Sequence, residues 1–447
     1  MRLESEYRVP SVAVHAHVFA RLVASSTRAN GMPGTRRAFV PQPVADQSPA
    51  QLRAYIEGTD PISNRPFMQE VLESLTLPLT EEDMRGVAFE RTTPRSLEPD
   101  TEENLHRLFL ENDWTDKLPI VLPTEERVAA MLAGTSHAAG EVVGRLRPAE
   151  YREFWEFTVE QAAVNAVMAG AEPTYFPTIL ALLGSCLSAR HSSTTSIGSM
   201  VVVNGPIRHE IGMNSGTGAL GPYNHANTTI GRAYGLASQN LQGGSVPGLT
   251  YMGSVGNNFA YTNLVFAENE ERSPWEPYHV QQGFDKEAST ATIFKGIWSL
   301  ISTWGVRETW QERAKYMFGA LESRGGAVML LDPIVAHEFC DREGFITKDK
   351  LAEWVYDNVR KPAREYWDNF QVQVFLAPMA TSGIEPFASY LKAAADELIP
   401  MFLRDDVHVV VVGGETQPHW SIVSAITSRS PSGGVEIGKT VSIDEWR

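Results

Sequence analysis

The sequence predicts an α/β protein: mixed or parallel sheets flanked by helices, with a small amino-terminal β-α-β unit ahead of a larger α/β domain. Three observations predict it. Continuous apolar runs recur, at Met200-Val-Val-Val203, Ala327-Val-Met-Leu-Leu331 and His408-Val-Val-Val-Val412, as in strands buried on both faces. Stretches with helical spacing and cap signals separate them. Each run ends in turn chemistry, Asn204-Gly-Pro206, Asp332-Pro333 and Gly413-Gly-Glu-Thr416. Beyond such carboxyl ends open α/β sheets collect ligands, so one crevice is expected if those strands are neighbours.

In chain order, Val12-Ala-Val14 reads as a strand and residues 18–29 as a helix with Val18, Leu22 and Val23 on one face. Asn30-Gly31 stops that helix, and Ala38-Phe-Val40 is the next strand. A lone β-α-β unit cannot cover both faces of a parallel sheet, so residues 1–95 read as an incomplete, docking unit. Ser48-Pro49 and Thr80 open short helices. Residues 90–104 read as a linker before a main domain, 105–447, that is divisible near 300–325. There Thr124 caps a helix with Glu125 and Glu126 in its first turn, and Thr158-x-x-Gln161 forms a capping box. Pro177 opens a helix through 187, Leu264-Val-Phe-Ala267 is a strand, and helices are expected near 335–340, 348–360 and 385–397. No repeat is visible in the sequence.

Composition bounds the function. The chain has 447 residues, 43% hydrophobic and 21% charged, with net charge −16. That balance argues against nucleic acid and anionic membrane surfaces as partners. No apolar run approaches the ~18 residues of a spanning helix, and the first residues lack a signal-peptide core. The two cysteines, Cys186 and Cys340, have no metal-ligand spacing, so a cytoplasmic location is expected.

Candidate chemistry concentrates between Asn204 and His279. His209, Glu210, Glu268, Glu270 and His279 are the candidate acids, bases or metal ligands. At period 2, Glu268 and Glu270 would share one face beyond a strand, where paired carboxylates divide acid and base roles or hold a divalent metal. Asn204, Asn214, Ser215, Asn224, Asn227, Arg232 and Trp275 are candidates for orienting a small polar substrate. The alternatives stay open: asparagines that only close turns, an Arg232 salt bridge, a solvated strand end. His15 and His17 alternate on a strand without a third ligand. Gly413-Gly-Glu-Thr416 is a backbone cradle without the P-loop ending. No nucleotide signature, G-x-S-x-G elbow or H-E-x-x-H occurs.

Two stretches resemble an uncharacterised bacterial family. One is Asn112-Asp-Trp-Thr-Asp-Lys-Leu-Pro-Ile-Val-Leu-Pro-Thr-Glu-Glu-Arg-Val128; the other runs from Val203-Asn-Gly-Pro-Ile-Arg208 through Asn227-Thr-Thr-Ile-Gly-Arg232 to Ala267-Glu-Asn-Glu-Glu271 and Pro274-Trp-Glu-Pro277. They cover residues 110–285, and that family brings no chemistry with it. More weakly, Val9-Pro-Ser-Val-Ala-Val14 and Ala38-Phe-Val-Pro-Gln-Pro43 are similar to the latter half of small proteins named for a selenocysteine-Gly-Ser-Cys motif. That motif lies upstream of the matched segment and is not found here. The resemblance implies a fragment that pairs with a chain carrying the thiol or selenol.

The expectation is a small-molecule enzyme, a hydrolase or lyase using Glu/His acid–base or metal chemistry, working as a homo-oligomer or in a heteromer. The rivals are a reductase or carbon–heteroatom bond-cleaving subunit whose thiol comes from a partner, and a non-catalytic assembly subunit.

Overall fold

The computed structural model describes residues 2–29, 32–44, 47–85, 94–145, 156–190, 197–242, 255–426, 428–429, 435–436 and 438–447. The chain is an α/β protein with mixed and parallel sheets flanked by helices. Among the described residues no helix is long and apolar enough to cross a membrane.

The amino-terminal unit holds β1 (Ala13–Ala16) and β2 (Arg37–Val40), paired in parallel as a sheet of two strands. The helix between them, expected from residue 18, begins as a 3-10 turn at His17–Phe19 and becomes α-helical over Ala20–Ala29. His17 therefore leaves the strand, and the expected alternation with His15 is broken. The N-cap expected at Ser48 forms and opens a helix over Pro49–Glu57, with a capping box to Gln51 in addition. The unit's core is small: Ala38, Val40 and Phe67. Residues 90–93 of the expected linker lie outside the described residues.

The rest is built on two four-stranded sheets. The first contains β3 (Gly198–Asn204), β4 (Leu264–Ala267), β5 (Thr290–Ile297) and, much later, β10 (Gly438–Ser442). The second contains β6 (Leu300–Trp304), β7 (Gly326–Leu331), β8 (Val407–Val411) and β9 (His419–Ala425). Their orders are β10-β5-β3-β4 and β8-β7-β9-β6. In each, the first strand in the parallel pair is central (β3 with β4, β7 with β8), and two antiparallel neighbours follow on its other side. The two sheets thus share one topology. They exchange their fourth strands: β6 directly follows β5 in the chain yet pairs in the second sheet, while β10 follows β9 yet pairs in the first.

Strand period 2 explains why the runs are apolar throughout. Val201, Val203, Val265 and Ile293 face a core shared with helices α1 (Val159–Ala169), α2 (Phe176–Gly184) and α3 (His225–Asn240). Ala327, Met329, Leu331 and Val409 face α4 (Trp310–Gly319) and α5 (Lys348–Asn358). The alternate residues, Met200, Val202 and Phe294 against Val328, Leu330 and Val410, meet between the sheets. The result is four layers, helix–sheet–sheet–helix.

Helix α1 starts at the expected capping box, with Thr158 and Gln161 bonded reciprocally. Helix α2 stops at Gly184, short of 187, because Ser185 Oγ turns back to the Leu182 carbonyl and Cys186 takes φ +59°. The helix expected over 385–397 is only Phe387–Lys392, since Ala393 is extended and Leu398–Pro400 forms a strand.

Candidate functional site

The carboxyl ends of β3, β4, β7 and β8 converge on one seam, as expected. The Glu268 amide donates to the Val203 carbonyl and the Asn269 amide to that of Val411 (3.0 and 2.8 Å). Asn269 Nδ2 reaches the Gly413 carbonyl at 2.8 Å, and the Glu415 amide donates to Asp332 at 3.0 Å. Segments 204–232 and 268–279 adjoin here, with the Ala267 amide 3.5 Å from the Asn214 carbonyl.

The strand expected to continue through Glu270 ends at Ala267; Glu270–Arg272 is a 3-10 turn, so alternation does not place these acids. Asn204 does. Its Nδ2 donates to Glu268 Oε2 (2.6 Å) and Glu270 Oε1 (2.9 Å), and the Gly205 amide also donates to Glu270 Oε1 (2.8 Å). Gly205 has φ +83° and a Cβ there would meet the Ala288 carbonyl at 2.1 Å, so the turn requires glycine. Arg208, missed in the sequence though it sits within Asn-Gly-Pro-Ile-Arg, is buried and ties the turn together. It donates to the Glu268 carbonyl and to both Glu271 oxygens, and lies 3.0 Å from Glu270 Oε2. This guanidinium is the main reason the Glu271 carboxyl is held down at about 2.

Behind the turn lies a buried ion pair. Lys348 Nζ is 2.7 Å from Glu268 Oε1, and both side chains are almost wholly buried, at 3% and 0% exposure. The Tyr278 amide takes Glu268 Oε2 at 2.7 Å. Lys348 and Tyr278 also line a cleft of about 890 Å³ whose walls include Trp275 and His408. Tyr278 Oη and His408 Nδ1 are 2.9 Å apart. Among the described residues His408 Nε2 is buried without a hydrogen-bond partner, as are Asn204 Oδ1 and His279 Nδ1. Burial pushes His408 down to about 4, so it is neutral at pH 7, and burial raises the Tyr278 phenol above its ordinary value.

The other expected residues divide. His279 is buried, its Nε2 3.2 Å from the Lys286 carbonyl and its Nδ1 4.0 Å from Glu270. His209 is largely exposed and bonds Glu271 at 2.9 Å. Glu210 faces away, to Arg447. Asn214, Asn224 and Asn227 close their own loop: Asn227 Oδ1 accepts from the Asn214 amide, Asn214 Nδ2 donates to Asn224 Oδ1, and Asn224 Nδ2 donates to the Gly218 carbonyl. Ser215 contributes its carbonyl to the Gly413 amide. Arg232 makes a bidentate pair with Asp116 at 2.9 Å and reaches the Pro119 carbonyl, away from the cleft. Trp275 is buried, with Nε1 donating to the Phe345 carbonyl. The Gly413–Thr416 cradle is already filled, its Glu415 amide by Asp332. Among the described residues no group of three or more His, Cys, Asp or Glu side chains is placed to hold a metal ion.

Lys348, Tyr278 and His408 were not singled out in the sequence. The signal for His408 was a lone imidazole opening an otherwise apolar strand. No family model matches the chain, and no curated protein or solved structure matches it either.

Proposed function

We propose that the protein is an enzyme of hydrolase or lyase type, acting on a small polar molecule in the cleft walled by Tyr278, Lys348 and His408. The observation that carries this reading is the Tyr278–His408 pair, buried at the cleft with one imidazole nitrogen unpartnered. Leaving such a polar atom buried and unpaired costs roughly 1–3 kcal/mol. A cleft of this size suits a small molecule.

The pair can relay a proton without creating a net charge. In one tautomer Tyr278 Oη–H donates to Nδ1 and Nε2–H is the free donor. In the other Nδ1–H donates to Oη, leaving Nε2 a bare acceptor. Uptake of a proton at one end and release at the other is what hydrolysis and elimination both need. Lys348, fixed by Glu268 and 5.8 Å from the Tyr278 ring centre, supplies positive potential for an oxyanion developing nearby. Glu268 and Glu270 serve as positioning groups in this reading, because their oxygens are engaged by Asn204, Arg208 and Lys348. The test is a screen of hydrolysable and eliminable small molecules, followed by Tyr278→Phe and His408→Gln. Each is expected to lower kcat by about 10²–10⁴ with the fold retained. Unchanged turnover in both variants would overturn the assignment.

A partner-dependent or assembly role is the second reading, favoured by the amino-terminal unit. Its sheet has two strands, and Val14 and Val18 are 50% and 54% exposed. A sedimentation measurement at micromolar concentration tests it; a monomer that binds no second chain would refute it.

A further inference from the structure

A second cleft, of about 870 Å³, shares no wall residue with the first. It is bounded by the end of β6, the turn that follows, and the segment 338–343. Trp304, the last residue of edge strand β6, lines it and is 52% exposed. This indole is held in place. His419 packs edge-on against it with ring centres 5.8 Å apart, and Arg313 donates to the Thr303 hydroxyl and the Trp304 carbonyl (2.8 and 3.3 Å). Among the described residues Trp304 Nε1 has no hydrogen-bond partner.

Glu338–Arg342 forms a single π-helical turn, with the Glu343 amide donating to the Glu338 carbonyl at 3.2 Å. Such turns are rare and concentrate at functional positions. Here the turn brings Glu338, Arg342 and Glu343 to the cleft. Arg342 lies 3.7 Å from Glu338 and 3.0 Å from Glu343, so these three charges are engaged with one another. The side chains of Arg307 and Glu308, also on the walls, are exposed and have no partner among the described residues. The walls thus offer one uncommitted charge of each sign beside an open aromatic face. Nearly cancelling charges give no field that would select an ion. Free guanidinium donors and free carboxylate oxygens together match a ligand whose hydroxyls both donate and accept.

We infer that this cleft binds a neutral saccharide. A sugar ring lies with its C–H face on the Trp304 indole, whose π face is the negative side of the ring quadrupole. Glu308 accepts from the sugar hydroxyls and Arg307 donates to them. Trp304 is the one aromatic ring on the walls, which suits a sugar stacking by a single face; a nucleobase is typically held between two. Fixing the indole before the ligand arrives lowers the ordering cost of binding.

Calorimetric titration of the full chain with cellobiose, maltose and lactose tests this, with glucuronate, glucosamine and adenosine as comparisons. At least one neutral disaccharide is expected to bind saturably, and more tightly than the acidic sugar, the basic sugar or the nucleoside. Trp304→Ala should weaken that binding about tenfold or more, and Trp304→Phe should keep part of it. Arg307→Ala combined with Glu308→Gln should weaken it about threefold or more. All three positions are exposed, so the fold is preserved. No saturable heat with any of the three disaccharides would overturn the inference. So would binding that Trp304→Ala leaves unchanged, or adenosine or either charged sugar binding more tightly than every neutral one. The assignment of the Tyr278 cleft does not enter these outcomes, so either site can fail while the other stands.

Discussion

Replacing Lys348 by Met isolates the buried ion pair. The Nζ–Oε1 separation is 2.7 Å and neither side chain is solvated. At an effective dielectric of about 20 the direct attraction is on the order of 6 kcal/mol, before the desolvation of both groups is set against it. Glu268 Oε2 keeps Asn204 Nδ2 and the Tyr278 amide, but Oε1 loses its one partner among the described residues. An unpaired buried carboxylate remains, which costs about 3–5 kcal/mol. Glu268→Gln alone strands the ammonium instead and is expected to cost a similar amount. Combining the two removes both charges, so the double variant should be more stable than the sum of the single losses by about 2 kcal/mol or more. Urea unfolding of the four proteins gives the cycle. A loss below about 1 kcal/mol for Lys348→Met, with a coupling near zero, would refute the claim that the pair is desolvated and mutually dependent.

Arg208→Ala should cost about 3–5 kcal/mol, because it leaves the buried Glu270 without the guanidinium beside it, and Arg208→Lys should recover only part; thermal midpoints decide. Gly231→Ala in α3 should cost about 3 kcal/mol, since its Cβ would lie 1.8 Å from the Thr262 carbonyl; near-parental stability would show that α3 shifts freely over β4. His408 is depressed from 6.5 to about 4, so the unfolded chain binds the extra proton in that window. Its contribution is complete above pH 6.5 and is lost as the pH falls toward 4, up to roughly 3 kcal/mol. His408→Gln should remove that part of the slope, read from denaturation midpoints across the window.

The sequence carried the fold class because strands buried on both faces must be apolar at every position, and Met200-Val-Val-Val203 and Ala327–Leu331 could be little else. The Thr158 capping box was equally legible, being a local bond between residues three apart. The seam was readable as a cluster of turn residues, but the part each plays was not. Asn214, Asn224 and Asn227 have the same composition whether they bind substrate or close a turn, and only the register shows them bonded to one another. Period 2 misplaced Glu270, because a 3-10 turn intervenes after Ala267. Lys348 and Glu268 are eighty positions apart and His408 and Tyr278 are further apart still, so no local pattern joins them. The duplicated sheet topology is invisible for the same reason: it lies in strand pairing, and the two halves share no sequence pattern.

The exchanged fourth strands make the two sheets mutually dependent. Residues up to β5 would leave the first sheet with β5 as a raw edge, because β10 arrives only after the second sheet is complete. A fragment beginning at β7 would lack β6 and expose β9 in the same way. Neither half is then a separable folding unit, and the first sheet can close only after β10 has been made. A single backbone cut between β6 and β7, near residues 305–309, would leave two pieces that each hold the other's missing strand. Such pieces should be found together or not folded at all. The seam that carries the candidate chemistry is thereby guarded against partial opening, because loosening either sheet draws a strand from the other.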